Sequence, residues 1–436
     1  MDTTIVHNPN KLEHFIGYDR DLEPPLVIQL GGYKPETLAK AVEYCESYGG
    51  FDEINLNCGC PSNKAKRCGF GAELMLEPDL VRQIVSEMKR RTTSAEVTVK
   101  CRIGLNVRDT WGDLVKFVLA SKEGGVNKMI IHARICVLNG LSPAQNRNVP
   151  PLRYDIVSRL VEAFPDMKFV LNGGVRFYEE ADDLLGFNAT TREYKSGNVP
   201  TNCVATAVRT WEDVERAWDV TEKLSLPYQH PSSCMTQAEN NIPGCEEDGH
   251  STCGNEETAD IEIDEEEDEA FTNAAVAGVA GSGGDHHAVK WDLSSSVHGV
   301  MIGREAYNNP WAWANLDRHY HNVSNPGFSR REVLDRYLTY AEAYLQSDGP
   351  RATIPYLCKP LHNYFTGSAA NKHYKRKLDA LLKEHITHQN ASRRRHLTSV
   401  TATFSDIIRE AVQGTIPDWF LDERMGPEGK MIVAET

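Results

Sequence analysis

The sequence predicts an α/β chain: a (β/α) barrel of parallel strands, the TIM barrel, followed by a smaller helical domain. Three observations carry this. Strand candidates of four to seven residues start roughly every 25 to 45 residues through the first 172 positions, each separated from the next by a helical pattern. Each strand ends in residues suited to chemistry or to tight turns rather than in plain polar loops. From about Ser329 onward the pattern becomes purely helical.

In chain order, 26–32 (LVIQLGG) reads as a buried strand ended by Gly31-Gly32, and Pro35 opens an amphipathic helix running to Ser47. The second strand, 52–57, runs into Cys58-Gly59-Cys60-Pro61 and a basic loop, with a helix from about Pro78 to Arg90. The third, 96–101 (EVTVKC), carries Lys100 and is followed by Arg102-Ile103-Gly104, then a helix at 110–122. The fourth, Lys128–His132, ends in His132-Ala133-Arg134, and a Pro- and Asn-rich loop leads to a helix at Tyr154–Ala163. The fifth, Lys168–Leu171, ends in Asn172-Gly173-Gly174, with a short helix from Tyr178. The next strand of the kind is 299–302, running into Gly303-Arg304.

Between these last two strands the rhythm is broken by residues 186–297, which hold 22 acidic and 6 basic residues. The run EETADIEIDEEEDEA at 256–270 and AGSGG at 280–284 give the composition of a disordered surface insertion, with a helical pattern only near 210–226. Long surface insertions cost slowly growing loop entropy, so one is tolerated here. The formal net charge of -15 belongs to this segment, and the rest of the chain is near +1. Residues 330–400 carry 13 Lys and Arg against 6 Asp and Glu, so the overall acidity does not exclude an RNA partner for the helical part. Helices are expected at 331–346, 372–384 and 404–412. The division read from the sequence is a barrel over 1–185 and 298–328, the insertion, a helical domain over 329–414 and a tail from 415.

No run of 18 apolar residues exists, so no membrane span is expected. The first 15 residues lack the basic and apolar regions of a secretory peptide. The 11 cysteines are odd in number and form no paired CxxC blocks, and the single-residue spacing of Cys58 and Cys60 does not suit a zinc knuckle. Reduced thiols and no metal are therefore expected, with a cytoplasmic or organellar location.

Cys60, between Gly59 and Pro61 just past a strand, is placed at the barrel mouth as a nucleophile or a proton donor, beside Lys64, Lys66 and Arg67, which suit an anion. Lys100 lies near the end of a strand buried on both faces, where it either snorkels to the rim or meets an electron-rich cofactor edge. His132 and Arg134 end the fourth strand. Asn172-Gly173-Gly174 and Gly303-Arg304 supply backbone N–H groups and a guanidinium at two late strand ends, the usual place for a phosphate in such a barrel, and imply a phosphorylated cofactor. Gln29 offers its amide to a planar ring or caps a turn.

The segments VIQLGG (27–32), DEINLNCGCPS (52–62), FGAELM (70–75), VTVKCRIG (97–104), IIHARICVLNGLSPAQNRNVPPLRY (130–154), LNGGV (171–175) and GVMIGREAYNNP (299–310) resemble the tRNA-dihydrouridine synthases. The subgroup they resemble most modifies uridines 20 and 20a of the tRNA D-loop. The resemblance covers 1–185 and 298 to about 412.

It implies FMN in an eight-stranded barrel, NADPH as reductant, and tRNA as substrate of a monomeric enzyme. Hydride would reach C6 of a uracil extruded from the tRNA while Cys60 protonates C5 from the opposite face. By the same resemblance Gln29, Lys100 and His132 contact the flavin ring, and Asn172, Gly173, Gly174, Gly303 and Arg304 surround its phosphate. Asn57 would lie beneath the target base, and Arg134 would hold the base or the tRNA backbone. Arg330, Arg331, Lys372 and Arg376, with Lys375 and Lys377, fall in the family's tRNA-binding domain.

Two departures stand out. The first strand and helix of the family barrel have no counterpart, and Met1-Asp2-Thr3-Thr4 matches only the end of the second strand. The acidic insertion matches nothing in the family. A flavin-dependent dehydrogenase of free pyrimidines and an RNA-binding protein without flavin chemistry are the alternative readings.

Overall fold

The computed structural model describes residues 2–18, 20, 25–188, 193–194, 220–224, 296–346, 353–395, 402–426 and 431–432. Chain packing divides it into two compact units: 1–10, 19–169 and 202–294 form the first, and 11–18, 170–201 and 295–436 the second. The division falls inside the fifth strand rather than after residue 185, where the sequence reading put the end of the barrel's first part.

The first unit holds α1 (Asp2–His7) and then the alternation β1 (Val27–Leu30), α3 (Pro35–Tyr48), β2 (Glu53–Cys58), α4 (Asn63–Arg67), α5 (Pro78–Arg91), β3 (Glu96–Arg102), α6 (Trp111–Glu123), β4 (Lys128–His132), α7 (Gln145–Asn148) and α8 (Tyr154–Ala163). The short α2 (Leu12–Ile16) between α1 and β1 belongs to the second unit. Neighbouring strands are parallel and follow chain order, β1 with β2, β2 with β3 and β3 with β4. Parallel strands with a helix between each pair are the repeating βαβ element of a (β/α) barrel, here a partial one followed by a helical region.

Register explains the placement of the functional side chains. Gln29 lies opposite Asn55 and Asn55 opposite Thr98, while Asn57 lies opposite Lys100 and Arg102 opposite His132. With a side-chain period of two, these polar residues share one face of the sheet. The other parity, Ile28, Leu30, Ile54, Leu56, Cys58, Val97, Val99 and Cys101, is buried. Helices α3, α5 and α6 begin at Pro35, at Pro78 and behind a Thr110–Asp113 capping box.

One expectation for this unit changes. Residues 2–4 are not a strand end: Asp2–His7 is helical, packs on α3 and buries Ile5 completely. The helical pattern near 210–226 lies mostly outside the described residues; within it, Val220–Leu224 form a turn and a β-bridge to Thr110. Of the rest of the insertion only 186–188, 193–194 and 296–297 are described, and the acidic run read as disordered lies outside the described residues.

The second unit holds the end of β5 (Lys168–Asn172), α9 (Tyr178–Leu185), the antiparallel pair β6 (Phe187–Asn188) and β7 (Glu193–Tyr194), and β8 (Gly299–Met301), which pairs in parallel with β5. Then come α10 (Arg304–Asn308), α11 (Leu316–His321), α12 (Arg330–Gln346), α13 (Ile354–His362), α14 (Asn371–Arg395), α15 (Phe404–Val412), α16 (Asp418–Asp422) and the antiparallel pair β9 (Arg424–Met425) and β10 (Met431–Ile432).

Leu334, Leu338, Phe365, Tyr374, Leu378, Phe404 and Ile408 build the helical core. Ile416, Phe420 and Leu421 join it, so the segment from 415 read as a tail is part of the domain. Its apolar residues, brought round by Pro417 at the cap of α16, are fixed by burial. Among the described residues no helix is long and apolar enough to cross a membrane.

Candidate functional site

The loop after β2 is built around Asn57. Its carbonyl oxygen accepts from the backbone N–H groups of both Gly59 and Cys60 at 3.1 Å, turning the chain sharply at the strand end. Its amide donates to Gln29 Oε1 (2.9 Å), Gln29 donates to Asn55 Oδ1 (2.8 Å), and the buried Asn55 donates to Thr98 Oγ1 (2.9 Å). A row of hydrogen bonds across three strands thus fixes the residue that sets Cys60. Gln29 and Asn57, expected to face a cofactor ring and a base, have their amides engaged in this row, which holds the loop.

Beyond the turn, Ser62 accepts from Ala65 N–H and caps α4, and the Cys60 thiol donates to Ser62 Oγ at 3.3 Å. Gly71 closes the far side. Its φ of +78° is left-handed, and a Cβ there would lie 2.5 Å from the Cys60 carbonyl oxygen, which itself accepts from Ala72 N–H. Only glycine fits that position without moving Cys60.

Cys60 is half-buried, whereas Cys58, Cys101 and Cys136 are buried. Burial pushes the Cys101 thiol up to about 12 and the Cys136 thiol up to about 11, and raises Cys58 well above the ordinary thiol value. These three are inert thiols at neutral pH, which leaves Cys60 as the reactive candidate at this strand end. The exposed Cys68 lies at the end of α4.

Two cations of β3 face this loop. Burial pushes the Lys100 ammonium down to about 8, and the nearby Arg102 adds to the effect. Burial likewise lowers Arg102 to about 10. Cys60 is a close electrostatic neighbour of both Lys100 and Arg102. The thiol position is therefore electrostatically coupled to both cations.

Arg102 is only 4% exposed and spans three loops. Its Nε donates to Gly59 O at 3.4 Å, and Nη1 donates to Ile135 O at 3.3 Å and Asn146 O at 2.8 Å. Asn146, fully buried, in turn accepts from Val137 N–H and donates to the Val137 carbonyl, tying α7 to the segment after β4. Sequence reading assigned no role to Arg102 or Asn146.

His132 is buried at the end of β4, opposite Arg102. Arg134 is half-buried. Its backbone N–H donates to His132 O at 2.8 Å and its guanidinium donates to the Pro150 carbonyl, so part of its hydrogen-bonding capacity holds its own loop.

In the second unit, Asn172 donates to Met301 O at 2.9 Å across the β5–β8 pair. Gly173 and Gly174 follow with φ of +109° and +80°, and the exposed Gly303 and Arg304 end β8 and open α10. A Cβ on Gly303 would come no nearer than 4.0 Å to Asn172 Nδ2, so these strand ends leave open space over two glycine-rich turns. Glycine-rich turns of this kind suit a phosphate.

Arg330 departs from its expected contact with RNA. It is 4% exposed, pairs with Glu423, donates to Phe420 O at 3.3 Å and stacks on Trp311 and Phe420 at 4.5 and 4.0 Å. It is a structural residue of the helical core. Arg331 is held by Asp422 and Asp418 at 2.6 and 2.7 Å, so its charge is neutralised locally. Lys375 and Lys377 donate to Asn363 Oδ1 and Gln413 O. Lys372 and Arg376 are exposed one turn apart on α14 and remain the residues of the predicted set most open to an external partner.

The family model for dihydrouridine synthase (Dus) matches residues 1–190 and 285–401, well over half of the chain. The chain belongs to the dihydrouridine synthase family. Dihydrouridine synthases similar to it include the tRNA-dihydrouridine(20/20a) synthase of Pseudomonas putida, 46% identical over 185 residues, which are 42% of this chain and 54% of that protein. The Pseudomonas aeruginosa synthase of the same name is 46% identical over 173 residues, 40% of this chain and 51% of the relative. That of Synechocystis is 45% identical over 163 residues, 37% of this chain and 48% of the relative. The chain thus spans about half the length of the curated relatives it matches.

Proposed function

We propose that this dihydrouridine synthase family chain reduces uridine to 5,6-dihydrouridine in the D-loop of tRNA, at positions 20 and 20a, with FMN as cofactor and NADPH as reductant. The observation that carries this reading is the setting of Cys60: a half-buried thiol at a strand end, fixed by Asn57, Ser62 and Gly71 and electrostatically coupled to Lys100 and Arg102. The names of the relatives supply the substrate class.

Each unit, taken by itself, carries residues that fit a part of such a cofactor. In the first unit, Lys100 and His132 offer a half-buried cation and a buried imidazole to an electron-rich ring, with Gln29 on the same face of the sheet. In the second, Asn172, Gly173, Gly174, Gly303 and Arg304 offer an open, glycine-lined turn to a phosphate. The chemistry FMN would supply when bound is delivery of a hydride to C6 of the uracil.

The chain's own residues then do the following. The Cys60 Sγ–H bond breaks and its proton goes to C5, so the C5–C6 double bond gains one hydride and one proton. Lys100 and Arg102 face the thiolate that remains, and a solvent proton restores it. Asn57 keeps Cys60 in place throughout. Arg134 holds the target nucleotide, and Lys372 and Arg376 meet the tRNA backbone through exposed charge, a contribution that weakens with salt.

The test is Cys60→Ala in the purified chain, assayed by mass spectrometry of nucleosides from treated tRNA. Dihydrouridine formation falls by at least about 100-fold, as expected for loss of a positioned general acid, while flavin absorbance is retained. Unchanged dihydrouridine yield in Cys60→Ala would contradict the role of the thiol.

A further inference from the structure

The acidic segment 186–297 is an addition to the alternating pattern, yet its described residues Val220–Leu224 are built into the first unit. Helix α6 begins at Trp111, and both Trp111 and Gly112 are buried, so their N–H groups reach neither water nor an intrahelical partner. Thr110 serves the third donor, accepting from Asp113 N–H at 3.1 Å. The first two are served from the insertion: Trp111 N–H donates to Glu222 O at 2.8 Å and Gly112 N–H to Val220 O at 3.0 Å.

The same five residues make further contacts. Leu224 N–H donates to Asp109 O at 2.6 Å, and Lys223 forms a bridge with Thr110 and an ion pair with Asp109 at 2.6 Å. Glu222 pairs with Arg159 at 2.5 Å, and that guanidinium lies 4.1 Å over the Trp111 ring. Leu224 is 1% exposed, and its Cδ1 lies 3.7 Å from where a Cβ on Gly104 would stand.

These contacts reach the site loops. Gly104 O accepts from Cys136 N–H at 2.8 Å and Cys136 O accepts from Asn106 N–H at 2.9 Å, so the loop after β3 is paired to the segment after β4. Arg153 donates from Nη1 to Leu224 O and from its backbone N–H to Ala133 O, both at 2.8 Å, and Ala133 stands between His132 and Arg134.

We propose that Val220–Leu224 is a strap through which the acidic insertion helps to build the candidate site, with Glu222 and Leu224 acting as positioning residues for the loops 104–110 and 133–138. The strap supplies the main-chain cap of α6 and clamps the two loops from outside. These five residues are thereby part of the first unit's structure. This inference rests on the geometry of the first unit, independently of which substrate is reduced.

The test is hydrogen exchange on the full chain, comparing Leu224→Asp, the conservative Leu224→Met, and the Glu222→Gln and Arg159→Gln pair singly and together. In Leu224→Asp the buried carboxylate expels the strap. The amides of Trp111 and Gly112 then exchange about tenfold faster, the size expected for the loss of one net hydrogen bond. Exchange also rises in 104–108 and 135–138, Cys60 alkylation changes rate, and α5 keeps its protection. Leu224→Met matches the wild type. The double variant costs less than the sum of its singles, because Glu222 and Arg159 share one interaction.

Unchanged exchange at Trp111 and Gly112 in Leu224→Asp would overturn the strap. Equal loss of protection through α5 and α6 would overturn the local role and make Leu224 an ordinary core residue. Strictly additive effects of Glu222→Gln and Arg159→Gln would remove Glu222 from it. None of these readings uses dihydrouridine formation, so failure here is separate from failure of the proposed reaction.

Discussion

Lys100 carries a pH dependence whose sign follows from its burial. Its ammonium is pushed down to about 8 from the ordinary 10.5, first by desolvation and then by Arg102. A depressed lysine means that the folded chain binds fewer protons than the unfolded chain between those two values. Stability from this group therefore rises as pH climbs from about 8 to 10.5, and the full penalty of the buried charge is in place below 8. Lys100→Met is expected to melt higher than the wild type at pH 7, with the gap shrinking above pH 8, when followed by thermal unfolding of the flavin-free chain. A gap that is constant across this range would contradict the burial argument. The strand-end positions of Cys60, Lys100 and His132 were legible in the sequence because reactive residue types followed apolar runs there. Arg102, Asn146 and Asn55 were not, although Asn55 and Thr98 share the parity of Gln29, Asn57 and Lys100. Their roles are hydrogen bonds to residues 33 to 44 positions away, for Arg102 to Ile135, Asn146 and Gly59 and for Asn55 to Thr98. That information exists only once the strands are in register.

Elements were legible where local signals agreed. Strands at 128–132 and 168–172 and helices at 154–163 and 404–412 follow their patterns to within a residue, since local periodicity and the fold agree there. Helix α13 was not read, because Pro355 and Pro360 lie inside its span and prolines ordinarily argue against a helix. Pro355 occupies the first turn, where a missing N–H costs nothing, and Leu357, Cys358 and Leu361 are buried enough to hold the rest. Helix α15 has the opposite character, beginning with a capping box in which Thr403 accepts from Asp406 N–H at 3.1 Å and Asp406 accepts from Thr403 N–H at 3.0 Å. Thr403→Ala is expected to lower stability by about 1 kcal/mol, measured by denaturant unfolding with an unchanged slope. Less than about 0.3 kcal/mol, well below the usual range for a lost cap, would show that the helix is fixed by its core contacts alone.

On the scale of the whole molecule, the charge segregation in the sequence is only partly a map of function. Of the basic residues expected to meet RNA, Arg330 is spent on the helical core and Arg331 on two aspartates, while Lys372 and Arg376 remain exposed. Arg330→Ala strands Glu423 beside a cavity and is expected to cost roughly 3 kcal/mol, read from the unfolding midpoint. Lys372→Ala with Arg376→Ala leaves that midpoint unchanged and weakens tRNA binding, more so at low salt. The reverse pattern would exchange the structural and binding roles assigned to these residues. The acidic insertion, set apart by composition, contributes Val220–Leu224 to the first unit, a contact that composition could not reveal because it depends on two buried N–H donors more than 100 positions away.

The measurement that tests the central claim most directly is reduction by the purified chain, supplied with FMN and NADPH, of unmodified tRNA and of free uridine in parallel, read by nucleoside mass spectrometry. The account predicts dihydrouridine in the D-loop fragment of the tRNA and none from free uridine. Dihydrouridine from the free nucleoside with none in tRNA, or none from either by a flavin-loaded chain, would contradict it.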